Sequence, residues 1–327
     1  MFKNPSLHLV VIFSILTMVM VPAANAEYPD QPMEFLIHAS PGGGSDLFCR
    51  AIAQALDKEG LLKQKINVVS RRGGGGTLAL NYLASKRGNP YVLMHMTTSP
   101  LITLAIRKTT DVKFNEVTYI AKMAEFPNLV FTKYDSPYKS LKDLVAEAKK
   151  LPPKTISSGM STTGGSEHIL AHRIGRESGV EFNIISFGSG GKVTAAMLGG
   201  HIDMMIGNIE EQLGQVEAKR TRPLATVTDN RIPYFPDLPT AKEQGIDVVY
   251  TQVRGFVAPP DVPDYAVKFW EDTFAKLVKT KSYADLMKAN FGVEAYAKGD
   301  DYKKFLVDYV AAFKQDVDEL GLFKQKK

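Results

Sequence analysis

An α/β fold with largely parallel sheets, in two lobes, is what this sequence predicts. One unit recurs along it: a short β-branched strand, a turn rich in Gly and Ser, then an amphipathic helix. Two longer extended segments without turn glycines break the recurrence and read as strands crossing from one lobe to the other. Composition fits a folded protein, with 44% hydrophobic and 23% charged residues and no low-complexity tract, so disorder is not indicated. The formal net charge of +5 favours acidic solutes without being a nucleic-acid footprint. Arg71-Arg72, Lys86-Arg87 and the cluster from Lys324 to Lys327 read as solvated surface.

At the N-terminus, Lys3 precedes an apolar stretch from Leu9 to Val21 that ends in Pro22 and Ala24-Asn25-Ala26. The stretch is shorter than the roughly 20 residues a spanning helix needs, and small residues at 24 and 26 suit signal peptidase. Residues 1–26 are therefore expected to be a signal peptide cleaved after Ala26. A lipoprotein would need a cysteine at that junction, and the only cysteine is Cys49. The product is expected to be soluble, exported and without an intramolecular disulfide.

The first strand of the mature chain, Met33 to Ala39, runs into Ser40-Pro41-Gly42-Gly43-Gly44-Ser45-Asp46. A helix follows, with Leu47, Phe48, Ala51, Ile52, Ala55 and Leu56 expected on one face. Three glycines before a helix let the backbone approach a ligand with its N–H groups, backed by the positive end of the helix dipole. This is an anion cradle; it lacks the Gly-Lys-Ser/Thr of a Walker A loop and the spacing of a dinucleotide fingerprint. The second unit is Ile66 to Val69, the turn Gly73 to Gly76 with Thr77, and a helix from Leu78 to Ser85. Thr155-Ile156 opens the third, leading through Ser157 to Ser166 into a helix near Glu167. Ile184 to Phe187 opens the fourth, leading through Gly188 to Gly191 into Val193 to Leu198. Ligands in such sheets sit beyond the carboxyl ends of the strands, where these turns lie.

The crossing segments are Tyr119 to Ala124 continuing through Asn128 to Phe131, and Val248 to Val257, stopped by Pro259-Pro260. C-terminal helices carrying Val267, Trp270, Phe274 and Leu277, then Phe305, Tyr309, Phe313 and Val317, complete the first lobe. The expected division is residues 27–127 with 248–327 in lobe 1 and 128–247 in lobe 2.

Several motifs appear in a familiar order: Tyr28-Pro29-Asp30-Gln31-Pro32, Pro41-Gly42-Gly43-Gly44-Ser45-Asp46, the glycine-rich second turn and the segment from Ser136 to Leu144. Leu198-Gly199-Gly200-His201-Ile202-Asp203 and the segment from Leu238 to Gly245 follow. In these the chain resembles the tripartite tricarboxylate transporter receptors, the TctC or Bug-type periplasmic solute-binding proteins. Arg254-Gly255-Phe256 and the segment from Ala312 to Leu322 look most like the tricarboxylate-binding branch. The resemblance implies a type II periplasmic-binding-protein fold that closes over a citrate-like di- or tricarboxylate and delivers it to integral-membrane permease subunits. A monomer that binds without turnover, with no cofactor, no metal site of its own and no nucleic-acid partner, is expected; whether a metal accompanies the ligand stays open. Arg71-Arg72-Gly73-Gly74 and Ile206-Gly207-Asn208 depart from the commoner pattern, Asn-Arg-Pro-Gly and Phe-Asp-Asn. Loss of the acid beside Asn208 is expected to suit a ligand with more negative charge.

Three or four N–H bonds at about 0.5–1.5 kcal/mol each, with about 0.3–1 kcal/mol from a helix end, contribute a few kcal/mol per carboxylate. Micromolar affinity needs about 8 kcal/mol, so two cradles are required. The near cradle is assigned to Ser40, Gly43, Gly44 and Ser45 with Thr98 and Ser99 alongside, and the far cradle to Ser158, Gly159, Ser161, Thr162, Ser166, Gly190 and Asn208. Arg254, on a crossing segment, is the candidate partner for a further carboxylate. Asp46 bears the wrong sign for an anion site and is expected to cap the helix and hold the turn.

Enzyme motifs fit poorly. Gly159-Met160-Ser161-Thr162-Thr163 fails Gly-x-Ser-x-Gly at its last position, and Ser136-Pro137-Tyr138-Lys139 lacks the companions of a Ser-x-x-Lys site. His168 and His172, four apart on a helix, lack the Glu of a His-Glu-x-x-His zinc site and an evident third ligand. Gly188 to Lys192 is half a phosphate loop, with Val193 in place of the hydroxyl. The alternatives to a transport receptor are an exported hydrolase or lyase on a carboxylated substrate and a ligand-presenting partner of a membrane sensor.

Overall fold

The triple-glycine turn does join a strand to a helix: β1 is Met33–Ile37 and α1 is Gly44–Lys58. The structure, a computed structural model, describes residues 28–107 and 109–321, so the signal-peptide reading and the Lys324 to Lys327 cluster lie outside the described residues. β2 (Ile66–Ser70) and β3 (Val92–Met96) flank β1 in parallel, with α2 (Thr77–Ser85) between them in sequence and α3 (Thr98–Ile102) after β3. β4 (Thr118–Lys133) is 16 residues long and nearly all buried. Four units follow: α4 (Leu141–Ala148), β5 (Ser157–Met160) with α5 (Ser166–Ser178), β6 (Asn183–Ser186) with α6 (Gly190–Leu198), and β7 (Met204–Asn208) with α7 (Ile209–Glu217). β8 (Thr221–Thr226), β9 (Thr251–Ala258), α8 (Asp264–Leu277), α9 (Lys281–Ala289), β10 (Val293–Lys298) and α10 (Gly299–Glu319) complete the chain.

The sheet order is β2-β1-β3-β9-β4-β7-β5-β6, with β8 and β10 also paired to β4. It is mixed, which corrects the expectation of largely parallel sheets. β2-β1-β3 and β6-β5-β7 are parallel, as strand-helix-strand crossovers require. Every pairing made by β4, and that of β3 with β9, is antiparallel. β4 and β9 run back between the parallel groups instead of following a helical crossover. β4 pairs with β9 as far as Pro127 and with β7 from Asn128. Pro127, which has no N–H for a ladder, falls where the partners change.

The core has corresponding parts. Phe35, Phe48, Phe126, Phe256, Trp270 and Phe274 pack around β1, β4 and β9. Leu144, Ile169, Leu170, Ile174, Ile206 and Phe313 pack around the β5 and β7 side. α10 reaches both sides, with Tyr302 and Leu306 beside β3 and β9, and Phe313 and Val317 beside α5. On α1, Phe48, Ile52, Ala55 and Leu56 are buried, but Leu47 is 48% exposed. It lies in the first turn of α1, at the rim of the apolar stripe.

Candidate functional site

α1 begins at Gly44 with Gly43 in the N-cap position, so the helix starts two residues before Asp46. Gly43 has an ordinary φ of −83°, and the left-handed residue of the turn is Gly42 at +80°. Asp46 Oδ2 accepts the Gly42 N–H at 3.0 Å, and both its oxygens hold Arg50 at 3.0 Å. The hydrogen bonds from Arg50 keep this carboxyl below its usual range. Asp46 thus braces the turn from inside and leaves the Gly44 N–H pointing outward.

That N–H meets a side chain the sequence reading did not single out. Glu211, in the first turn of α7, accepts it on Oε1 at 3.3 Å. A Cβ placed on Gly190, the first residue of α6, would stand 2.8 Å from the other oxygen of Glu211. Beside it, Glu210 forms a buried ion pair with Arg254 of β9, only 3% exposed. The Arg254 guanidinium lies 3.7 Å from the Phe126 ring centroid and also approaches Gln252 Oε1 at 3.4 Å. Gln252 Oε1 accepts from Asn208 Nδ2 at 2.7 Å. Gln212 ties α7 to α6 by donating to Thr194 Oγ1 at 2.6 Å. The starts of α1, α6 and α7 therefore converge on one buried cluster of charge.

Its electrostatics run against the sequence expectation. Burial, then the neighbouring Glu210 and Glu167, push the Glu211 carboxyl up to about 7. Burial also raises Glu167, although Ser161 donates to it from N at 2.7 Å and from Oγ at 2.5 Å. His95, stacked on Phe48, and His38 are held neutral by burial, His38 near 4. The acid missing beside Asn208 is thus more than replaced by Glu210 and Glu211, so the expected lowering of negative charge fails. Their signal was two glutamates in the first turn after a buried strand, which reads equally well as ordinary helix-dipole complementation.

The other expected residues are spread more widely. Thr98 is buried, its Oγ1 2.7 Å from the Tyr250 hydroxyl and 2.9 Å from that of Tyr309. Ser166 lies at the start of α5, and Ser158 is buried with no partner for its hydroxyl. Ser45 is buried in the first turn of α1. Ser40 Oγ accepts from Arg72 at 3.4 Å. Ser99 turns away to donate to Gly75 O at 3.3 Å, and Thr162 accepts the Gly165 N–H within its own loop. Gly159 is a packing residue, since a Cβ there would lie 2.5 Å from Ile202 and 2.6 Å from Val193. Arg254 faces the site, but its carboxylate partner is Glu210 rather than an open position.

The histidines do not pair. His168 Nδ1 accepts the Gly164 N–H, whereas His172 lies near Asp316 and Glu319. Those two carboxylates are held by Arg173 and Arg176, which makes an ion-pair knot between α5 and α10.

The model of the tripartite tricarboxylate transporter family receptors, TctC, matches residues 48–322. The chain belongs to this family. Its receptors are periplasmic solute-binding proteins that work with membrane permease components, which is a receptor role and not a catalytic one. The chain is similar to the UPF0065 protein in the gbd 5′ region of Cupriavidus necator, 29% identical over 304 residues, with 91% of this chain and 90% of that protein covered. Its fold is similar to that of an adipate-bound protein of Rhodopseudomonas palustris, with TM-score 0.82, 22% identity and coverage of 90% and 99%. It is similar also to malate-bound MatC of the same organism, with TM-score 0.78, 18% identity and coverage of 89% and 100%.

The position of Gly44 gives a direct test of the near cradle. A Cβ there would stand 3.1 Å from Arg254 Nη2 and 3.2 Å from Glu211 Oε1, while its helical backbone tolerates any residue. Gly44→Val is expected to abolish carboxylate binding in calorimetric titration with the circular dichroism spectrum unchanged. Undiminished affinity would remove the start of α1 from the site.

Proposed function

We propose that this receptor captures a small di- or tricarboxylate between two lobes in the periplasm and delivers it to the permease subunits of its transporter. The observation that carries the reading is the meeting of α1, from the β1 side of the sheet, with α6 and α7, from the β7 side, around the Gly44 N–H. Helix N-termini offer N–H donors and positive dipole ends to carboxylates. The malate and adipate held by the two R. palustris proteins are dicarboxylates that could bridge such termini. Lobe 1 would comprise 27–127 and 248–327, lobe 2 would comprise 128–247, and the signal peptide would be released after Ala26. The hinge would lie at Pro127-Asn128 of β4 and near Tyr250, with α10 bending to follow, and the receptor would act as a monomer.

A thermal-shift screen of mono-, di- and tricarboxylates on the mature protein tests this, because a ligand at 100 times its dissociation constant stabilises by about 2.7 kcal/mol. The expected result is a shift with di- or tricarboxylates, no product on incubation, and a smaller radius of gyration by X-ray scattering when bound. No shift with any carboxylate would sink the receptor reading, and turnover would favour the enzyme reading.

A further inference from the structure

Phe291 stands where a glycine is expected. α9 ends in a Schellman turn, in which the Gly292 N–H donates to Met287 O at 2.9 Å and the Phe291 N–H to Lys288 O at 3.4 Å. The left-handed residue of such a turn is usually glycine, yet Phe291 takes that place at a φ of +58° and the glycine comes one position later. A bulky residue in that conformation is strained and persists where its surroundings fix it.

What fixes it comes from the β8–β9 connection, which the division above places in lobe 2. The Phe291 ring meets Tyr234 edge-on, with 4.3 Å between centroids, and lies nearly parallel to Phe235 at 6.5 Å. The Tyr234 hydroxyl donates to Lys288 O at 2.7 Å, so this tyrosine also caps the end of α9. Phe291 packs against the apolar cluster that contains Phe131, Met205, Ile209 and Ile232, and among the described residues it is the one member from outside 128–247. On the other flank Gly292 lies against β4, where an added Cβ would stand 2.9 Å from the Phe126 ring. Phe126 immediately precedes Pro127, where β4 changes partners. Tyr234 is 40% exposed, so it can leave Phe291 without opening the core.

We propose that Tyr234, Phe235 and Phe291 form an aromatic clasp beside the hinge that biases the lobes toward their closed arrangement and so sets the receptor's affinity. The proposal rests on the two-lobe reading above. The clasp is formed in the same arrangement that brings Gly44 to Glu211 at 3.3 Å. Breaking it removes contacts that an open arrangement lacks, which shifts the population toward open and weakens apparent binding by the closed fraction lost.

Phe291→Gly relaxes the backbone while removing the ring, and Tyr234→Ala removes its partner on the other lobe. In X-ray scattering of the mature protein without ligand, both variants are expected to give a larger radius of gyration than the parent. Calorimetric titration with malate and with adipate should show about 10-fold weaker binding of whichever binds the parent. The double variant should be no weaker than the single ones, because both changes remove one contact. Phe291→Tyr keeps the ring and should match the parent on both readouts. Tyr234→Phe loses only the hydroxyl and should move both readouts the same way by less, which keeps the test open if the larger changes prevent folding. A merely structural role would lower the urea midpoint and leave radius and affinity unchanged. That result, or tighter binding, would overturn the proposal. If neither dicarboxylate binds the parent, the radius alone decides the clasp, and the receptor reading is judged by the wider carboxylate screen.

Discussion

Arg254→Ala is expected to destabilise the protein by about 3–5 kcal/mol, the cost of leaving one member of a buried ion pair without its partner. Arg254 is 3% exposed, and the Glu210 side chain it meets is 7% exposed. With the guanidinium gone, Glu210 would be left buried beside Glu211 without its counter-charge. Glu210→Gln in the same background should recover much of the loss, because the charge that had become costly is then gone. Glu210→Gln alone should cost less than Arg254→Ala, since the guanidinium keeps the Phe126 ring and Gln252. The measurement is a double-mutant cycle in urea, with a coupling of about 2 kcal/mol or more expected. A loss under about 1 kcal/mol for Arg254→Ala, with additive single changes, would mean that the pair is solvated or weakly formed.

How much of this was legible in the sequence differs between backbone and side chains. The strand-turn-helix units were readable because each is a local signal: β-branched residues, then glycines, then a 3.6-residue apolar period. β4 was readable through Pro127 because its apolar run is long on both sides of the proline. Strand direction was not readable. An extended segment that returns between two parallel groups has the same local pattern as one that follows a helix, and only the register of β4 with β7, β8, β9 and β10 decides it. The glycines at the start of α1 and α6 announced a close approach of backbone, but what they approach came from elsewhere in the chain. Glu211 is 167 residues from Gly44, and a glutamate in a first helical turn is too common to be singled out. Arg254 was visible as a cation on a crossing segment, yet its partner Glu210 lies on another element, so its charge looked available when it was already engaged.

Stability should fall between pH 5 and 8 through Glu211, and Glu211→Gln should abolish that part of the fall. In the unfolded chain this carboxyl titrates near its ordinary 4.5, and in the folded protein near 7. Between those values the folded state holds a proton that the unfolded state has released. Raising the pH therefore favours unfolding, and the contribution is complete below 4.5 and lost as the pH passes 7. A displacement of this size corresponds to about 3 kcal/mol. The cause is mainly removal from water, with Glu210 and Glu167 adding to it and Arg254 and the Gly44 N–H opposing it. A glutamine keeps the shape and has no charge to desolvate, so the variant should exceed the parent by under about 1 kcal/mol near pH 5 and by about 3 kcal/mol at pH 8. Asp46, held low by Arg50, acts in the opposite direction below this window, where its stabilisation is lost on acidification. His38, lowered to about 4, gains stability as pH rises toward its ordinary 6.5, and Glu167 shifts in the same sense as Glu211. These groups are common to both proteins, so the difference between variant and parent reports Glu211 with little interference from them. Urea midpoints at pH 5, 6.5 and 8 without ligand measure it, and a difference that stays constant across the three would show that Glu211 keeps an ordinary, solvated carboxyl.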